Sequence, residues 1–353
     1  MSDGWIATLG RLAAAMLTGG SVGSEGPRLP DPIEWPAIEG FGDTTADQIS
    51  GLACGPERDG RRGCVIVVDE GRRIRFATLE GRRFDLGPEM AILDRTMVDP
   101  ANGATIEVGE ADLEAVARDG DTYWLFGSHS TRRKKISADE DCALQPGRRL
   151  VHHFTVEATR ELPAFAFDGK RAAPEIRRID RLPEILARLP ELAGVAGTPT
   201  CVAAGGLDIE GGAVADGRMM LGLRSPPAVG GEAALAVELD AVALAQGGDP
   251  RPRLHRLPLG AGIGIRDLAA VAGGHLILSG ASASDDSEKR PARLWFWPMG
   301  RAPIGLGVLG GLPKKAKPEG LLVVDETAVG WRVLVVSDGV AGGAPMEYRV
   351  ARP

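Results

Sequence analysis

The chain has 353 residues and a formal charge of −7 at pH 7, with 44% hydrophobic and 25% charged residues. This ordinary globular composition excludes disorder, collagen and coiled coil, and the acidic balance has the wrong sign for nucleic acid or an anionic membrane as partner. Glycine (49) and proline (25) are both abundant, which argues against long helices and for short strands joined by tight turns.

Residues 1–34 read as an N-terminal extension, disordered in part, ahead of a single domain over 35–353. The apolar stretch 12–20 is broken by glycine and follows Asp3 and Arg11 rather than a compact basic segment. It fits poorly to a secretory signal, which needs ~7–15 clean apolar residues, and no window holds the ~20 apolar residues of a membrane span. The expectation is a cytoplasmic protein. Its four cysteines (Cys54, Cys64, Cys142, Cys201) lack metal-ligand spacing and read as reduced, mostly buried thiols, with Cys54 and Cys64 spaced to face each other across a hairpin. Gly19-Gly20-Ser21-Val22-Gly23 matches G-x-S-x-G but has no strand before it and no helix after it, so it is no nucleophile elbow.

From residue 50 onward the chain repeats itself. Five segments share a polar residue, a short apolar strand, a turn and a second, more apolar strand: Ser50-Gly51-Leu52-Ala53 with Cys64-Val65-Ile66-Val67, Asp112-Leu113-Glu114-Ala115 with Tyr123-Trp124-Leu125-Phe126, Asp208-Ile209-Glu210-Gly211 with Met219-Met220-Leu221-Gly222, Arg266-Asp267-Leu268-Ala269 with Leu276-Ile277-Leu278-Ser279, and Pro318-Glu319-Gly320-Leu321 with Val333-Leu334-Val335-Val336. Aligned on Ser50, Glu114, Glu210, Asp267 and Glu319, the separations are 64, 96, 57 and 52 residues. The long one marks an insertion over about 160–200, where Ile176, Ile179, Leu182, Ile185, Leu186 and Leu189 recur at helical spacing around Pro183. Each unit carries a third strand-like segment and some a fourth. Such a sheet cannot bury both faces alone, and radial stacking solves that. The expected fold is an all-β propeller of five blades, with room for a degenerate sixth between 150 and 204, and a helical excursion between blades two and three. The segment near Trp35 would add a strand to the last blade.

The runs Asp112-Leu113-Glu114-Ala115, Phe126-Gly127-Ser128-His129-Ser130, Gly222-Leu223-Arg224-Ser225-Pro226 and Lys317-Pro318-Glu319-Gly320 resemble a bacterial propeller family catalogued as domain of unknown function 3616. The resemblance covers roughly residues 45–340. It implies the propeller fold and no established reaction. The chain is more distantly similar to phytase-like and esterase-like propellers, and that likeness implies calcium-assisted phosphoester hydrolysis.

Antiparallel geometry puts the start of each first strand and the end of each second strand at one mouth of the channel. Glu114, Glu210, Asp267 and Glu319 should share that face with Ser128, His129, Arg224, Lys317 and Asp338, beneath the loops 131–149, 225–232, 281–290 and 339–345. The four acids are candidate ligands for a divalent cation such as calcium, or else repeated structural hydrogen-bond acceptors. His129 is a candidate general base, with Glu114 and Glu210 as acid–base partners. Arg224, Lys317, Asp338 and Ser128 are candidate ligand-binding groups. Arg132-Arg133-Lys134-Lys135 reads as a solvated loop, or as a patch for an acidic partner. Two functions follow: a module binding a small anionic ligand or a protein or peptide at the mouth, or a metal-assisted hydrolase or lyase acting on an anionic small molecule.

Overall fold

The five repeats fold as five four-stranded antiparallel sheets standing around one axis. The computed structural model describes residues 27–41, 47–98, 103–136, 139–156, 174–283 and 290–353. The stretch 12–20, the motif at 19–23 and the first part of the insertion lie outside them, as do the side chains of Arg133, Lys134 and Lys135.

Blade one comprises Ile49–Cys54, Arg61–Val68, Arg73–Glu80 and Arg83–Ala91. Blade two has Leu113–Asp119, Thr122–Gly127, Val151–Thr155 and Arg177–Ile179. Blade three follows with Asp208–Ala215, Arg218–Ser225, Ala234–Asp240 and Arg253–Leu257, and blade four with Ile263–Val271, Gly274–Ala281, Arg293–Pro298 and Ile304–Val308. Blade five takes Lys317–Thr327, Gly330–Asp338 and Met346–Ala351 from the end of the chain and Ile33–Glu34 from near its start. The first strand of every blade packs against the first strands of both neighbours, and the ring closes where Ile49–Cys54 meets Lys317–Thr327. The protein is a five-bladed β-propeller.

The second strands are apolar on both faces because each lies between two blade interfaces. In blade one, Val65 and Val67 pack toward blade two, while Cys64 and Ile66 pack toward blade five. Blade two repeats this, with Leu125 facing blade one and Trp124 and Phe126 facing blade three. Period-two alternation therefore builds five apolar clusters, one per interface. Closure is fixed by Ile33–Glu34 pairing with Met346–Ala351, by Trp35 Nε1 donating to Glu347 (3.0 Å), and by Trp35 and Ile38 packing between blades five and one.

Two expectations change. The helical spacing does not extend back to Ile176 and Ile179, because Arg177–Ile179 is the outer strand of blade two. The helix spans Leu182–Leu186 with Pro183 in its first turn, and Leu182, Ile185, Leu186 and Leu189 fill the interface between blades two and three. The cysteines are not reduced thiols: Cys54 bonds Cys64 directly across blade one, and Cys142 bonds Cys201. The second bridge ties the hairpin Thr131–Ile136/Asp139–Leu144 to the end of the insertion, a juxtaposition that spacing along the chain does not reveal. Among the described residues no helix is long and apolar enough to cross a membrane.

Candidate ligand site at the channel mouth

Every inner strand carries a β-bulge at the same height. The register shifts between Ile49 and Gly51, Leu113 and Ala115, Ile209 and Gly211, Ile265 and Asp267, and Pro318 and Gly320. The inserted residues are Ser50, Glu114, Glu210, Arg266 and Glu319. A bulge re-aims the extra side chain, and these five form a ring near one mouth. Alignment by charge had put Asp267 in it, but blade four contributes Arg266, one residue earlier.

Arg266 lies between two acids of the flanking blades. Its guanidinium is 2.8 Å from Glu210 and also holds Glu319. Asp267 looks elsewhere: its carboxylate accepts the backbone N–H of Leu268 and of Leu321 in blade five, both at 2.7 Å. It ties inner strands together, which is the repeated structural role that chains of stacked sheets need. Ser50 likewise donates its hydroxyl to Leu113 O in blade two.

Around the ring stand the other mouth groups. Arg224 is 2.7 Å from Glu210 and 3.4 Å from Asp208. Lys317 and Asp338, opposed across blade five, are 2.6 Å apart. Arg148 holds Glu110 and lies 2.9 Å from Asp112, and it donates to Ser130 Oγ at 3.0 Å. Ser128 Oγ donates to Asp112. Asp112 (φ +48°) and His129 (φ +56°) both hold left-handed backbone, strain of the kind that gathers at functional sites. Below the ring the lumen narrows to a cavity of about 150 Å³, walled by apolar stretches of all five inner strands such as Leu52, Val116, Ala213, Leu268 and Leu322.

Asp69, Asp112, Glu114, Asp208, Glu210, Glu319 and Asp338 outnumber Arg148, Arg224, Arg266 and Lys317, and each of these cations already holds a carboxylate. Burial and the crowding of like charge raise several of these acids. Burial, reinforced by Glu210, pushes Asp208 up to about 7 despite Arg224. Burial pushes Glu319 up to about 8 against the pull of Arg266, and Asp69 up to about 7 with help from Asp338 and Asp112. Glu114 is raised well above the carboxylate range by burial and by Asp112, Glu210, Glu319 and Asp208 around it. It has no hydrogen-bond partner among the described residues, and it is only partly buried. His129 is buried with both ring nitrogens unpartnered, and desolvation, aided by Arg149, lowers it to about 3. It is a neutral imidazole at ordinary pH.

Of the residues singled out from sequence, Glu114, Glu210 and Glu319 converge with Arg224, and Ser128, Lys317 and Asp338 sit at the same mouth, while Asp267 faces backbone. Sequence reasoning missed Arg266, Asp69, Arg148 and Gln48. A signal for Arg266 existed: Ile49, Leu113, Ile209 and Ile265 mark one aliphatic position before four of the five inserted residues, Pro318 standing before the fifth.

The family described as "Protein of unknown function (DUF3616)" matches residues 91–299, more than half of the chain. The chain belongs to this family. The DUF3616 match covers blades two and three and most of blade four, including Glu114, Glu210 and Arg266. No curated protein matches the chain. Similar solved structures include an exo-β-1,3-galactanase from Phanerochaete chrysosporium with β-1,3-galactotriose, 9% identical with a TM-score of 0.46 over 91% of this chain and 64% of that one. Others are a hypothetical protein from Leishmania major (11%, TM-score 0.39, 92% and 91%) and a family 117 glycoside hydrolase from Zobellia galactanivorans (12%, TM-score 0.43, 91% and 90%). The DUF3616 chain thus spans under two thirds of the galactanase.

Proposed function

We propose that the channel mouth is a binding site for a small polar molecule. The observation that carries this reading is Glu114, a partly buried acid without a hydrogen-bond partner among the described residues, set in a ring of buried charges. The frame is rigid, because each ring member sits on an inner strand locked between two others, and binding residues held by such a scaffold keep their geometry. The strands Thr131–Ile136 and Asp139–Leu144 and the loops 225–232 and 339–345 follow second strands at this mouth and are available for a larger partner such as a peptide.

A second reading is acid–base hydrolysis or elimination. Glu114, raised well above the carboxylate range by burial, is suited to donate a proton, and Asp208, raised to about 7, is suited to accept one. A divalent cation such as calcium would draw on Glu114, Glu210 and Glu319, although Arg266 already neutralises the last two. The two disulfides favour an oxidising compartment over the cytoplasm.

The test is a thermal-shift screen of small polar metabolites on the wild type and on Glu114→Gln. Compounds that raise the wild-type melting temperature should lose that effect in the variant. Hits that act equally on both proteins would remove the mouth as the site. The hydrolytic reading is checked with chromogenic esters and phosphoesters, and it fails if any turnover survives intact in Glu114→Gln.

A further inference from the structure

We infer that the ligand of the mouth is an organic cation, whose ammonium or guanidinium group is received where blades one and two meet, by Glu114 of blade two and Asp69 and Gln48 of blade one. The inference rests on the binding reading above and names its ligand class.

The ring itself supplies the first argument. In blade order its members are Ser50, Glu114, Glu210, Arg266 and Glu319, so two places are flanked by glutamates on both sides. One is Arg266, between Glu210 and Glu319, and there the fold supplies its own guanidinium. The other is Ser50, between Glu319 and Glu114. Its side chain is small and neutral, and its hydroxyl is committed to Leu113 O. The ring therefore sets a position between two glutamates twice, Glu319 being common to both pairs, and places a cation of its own at one of them.

The unpartnered atoms supply the second. Gln48 immediately precedes the inner strand of blade one, and Asp69 immediately follows its second strand, with Asp69 N–H bonded to Gln48 O. Gln48 Oε1 and Asp69 Oδ1 are fully buried and have no hydrogen-bond partner. Buried acceptors left unmet are costly, and Glu114 joins them once an approaching cation draws off its proton, because a neighbouring positive charge favours the carboxylate. They call for a ligand that donates. An anion would instead need donors, and Arg148, Arg224, Arg266 and Lys317 all hold carboxylates already. A calcium ion takes about 6–8 oxygen ligands, more than these three side chains provide, whereas an ammonium has three donors and a guanidinium five. The charges facing the position are Asp112, Asp208, Glu210 and Glu319 around Glu114, with Arg148 and Arg224 beyond, and Asp338, Asp112 and Glu70 around Asp69. Acids dominate on every side.

The experiment is calorimetric titration of the intact protein at pH 7.5 and low salt with methylguanidinium, ethylammonium, calcium, inorganic phosphate and glycerol. It is repeated on Glu114→Gln and Asp69→Asn, with folding confirmed by circular dichroism. Both organic cations should bind the wild type, and affinity should fall at least about tenfold in each variant, as expected on removal of a desolvated charge partner. Binding by phosphate or glycerol alone, lost in Glu114→Gln, would overturn the cation class and leave the mouth a binding site. Calcium binding alone would make the ligand a metal ion and overturn the organic one. Organic cations that bind wild type and variants equally would refute the inference. If no probe binds, the inference fails and the binding reading falls with it.

Discussion

Arg266 shows how one residue can settle the character of a site. Two glutamates of neighbouring blades, both buried, share its guanidinium. Removing one partner from such a group leaves uncompensated charge, which typically costs about 3–5 kcal/mol. Arg266→Met is therefore expected to lose stability on that scale, and Arg266→Met combined with Glu319→Gln should recover part of it. Urea unfolding of the wild type, the two single variants and the double variant measures this, and strictly additive losses would show that the pair is not coupled. Arg266 was hard to find in the sequence because the repeat was aligned by charge. Asp267 matches the acids of the other blades in chemistry, but position is set by the bulge and by the small residue after it (Gly51, Ala115, Gly211 and Gly320). In blade four Asp267 takes that small residue's place and uses its carboxylate to cap neighbouring backbone.

At the scale of elements, the inner and second strands were legible because each carries a strong local signal, a turn between two apolar runs. The outer strands were legible only in part, Ile33–Glu34 beside Trp35 being one that was. Arg83–Ala91 and Arg177–Ile179 are polar and largely exposed on one side, so neither reads as a strand without its partner. The same limit hid the Cys142–Cys201 bridge, since its halves belong to a mouth hairpin and an insertion that meet only in the folded chain. Cys54–Cys64 spans a separation of 10 residues and Cys142–Cys201 one of 59. Loop-closure entropy then assigns roughly 3 kcal/mol to the first and roughly 4 to the second. Paired serine variants should follow that order, with Cys142→Ser/Cys201→Ser the less stable in urea. A larger loss from Cys54→Ser/Cys64→Ser would mean that strand packing, not loop closure, governs the bridges.

For the whole molecule, the repeat was enough to give the fold, because each sheet needs two neighbours to bury its faces and a closed ring of them leaves no end. What the repeat could not show is the consequence of bringing so many acids to one opening. Asp69 and Asp208 are held near 7 and Glu319 near 8, and Asp112, Glu114 and Asp267 are raised as well. Above the ordinary carboxylate range the folded protein therefore binds more protons than the unfolded chain, and stability falls as pH rises through those values. Buried His129 and His152 near 3, and His275 near 4, act in the opposite sense. They favour the unfolded chain as pH drops below about 6.5, and above it they are neutral in both states. Glu238 and Glu347, lowered by their Arg and His partners, lose their contribution only in acid. Between pH 6.5 and 8.5 the mouth acids act alone, so the melting temperature should decline by several degrees across that interval at constant ionic strength, and Glu114→Gln should flatten the slope. A melting temperature that holds level or climbs there would mean that the carboxylates are ionised in the folded ring, and that its electrostatics are arranged differently.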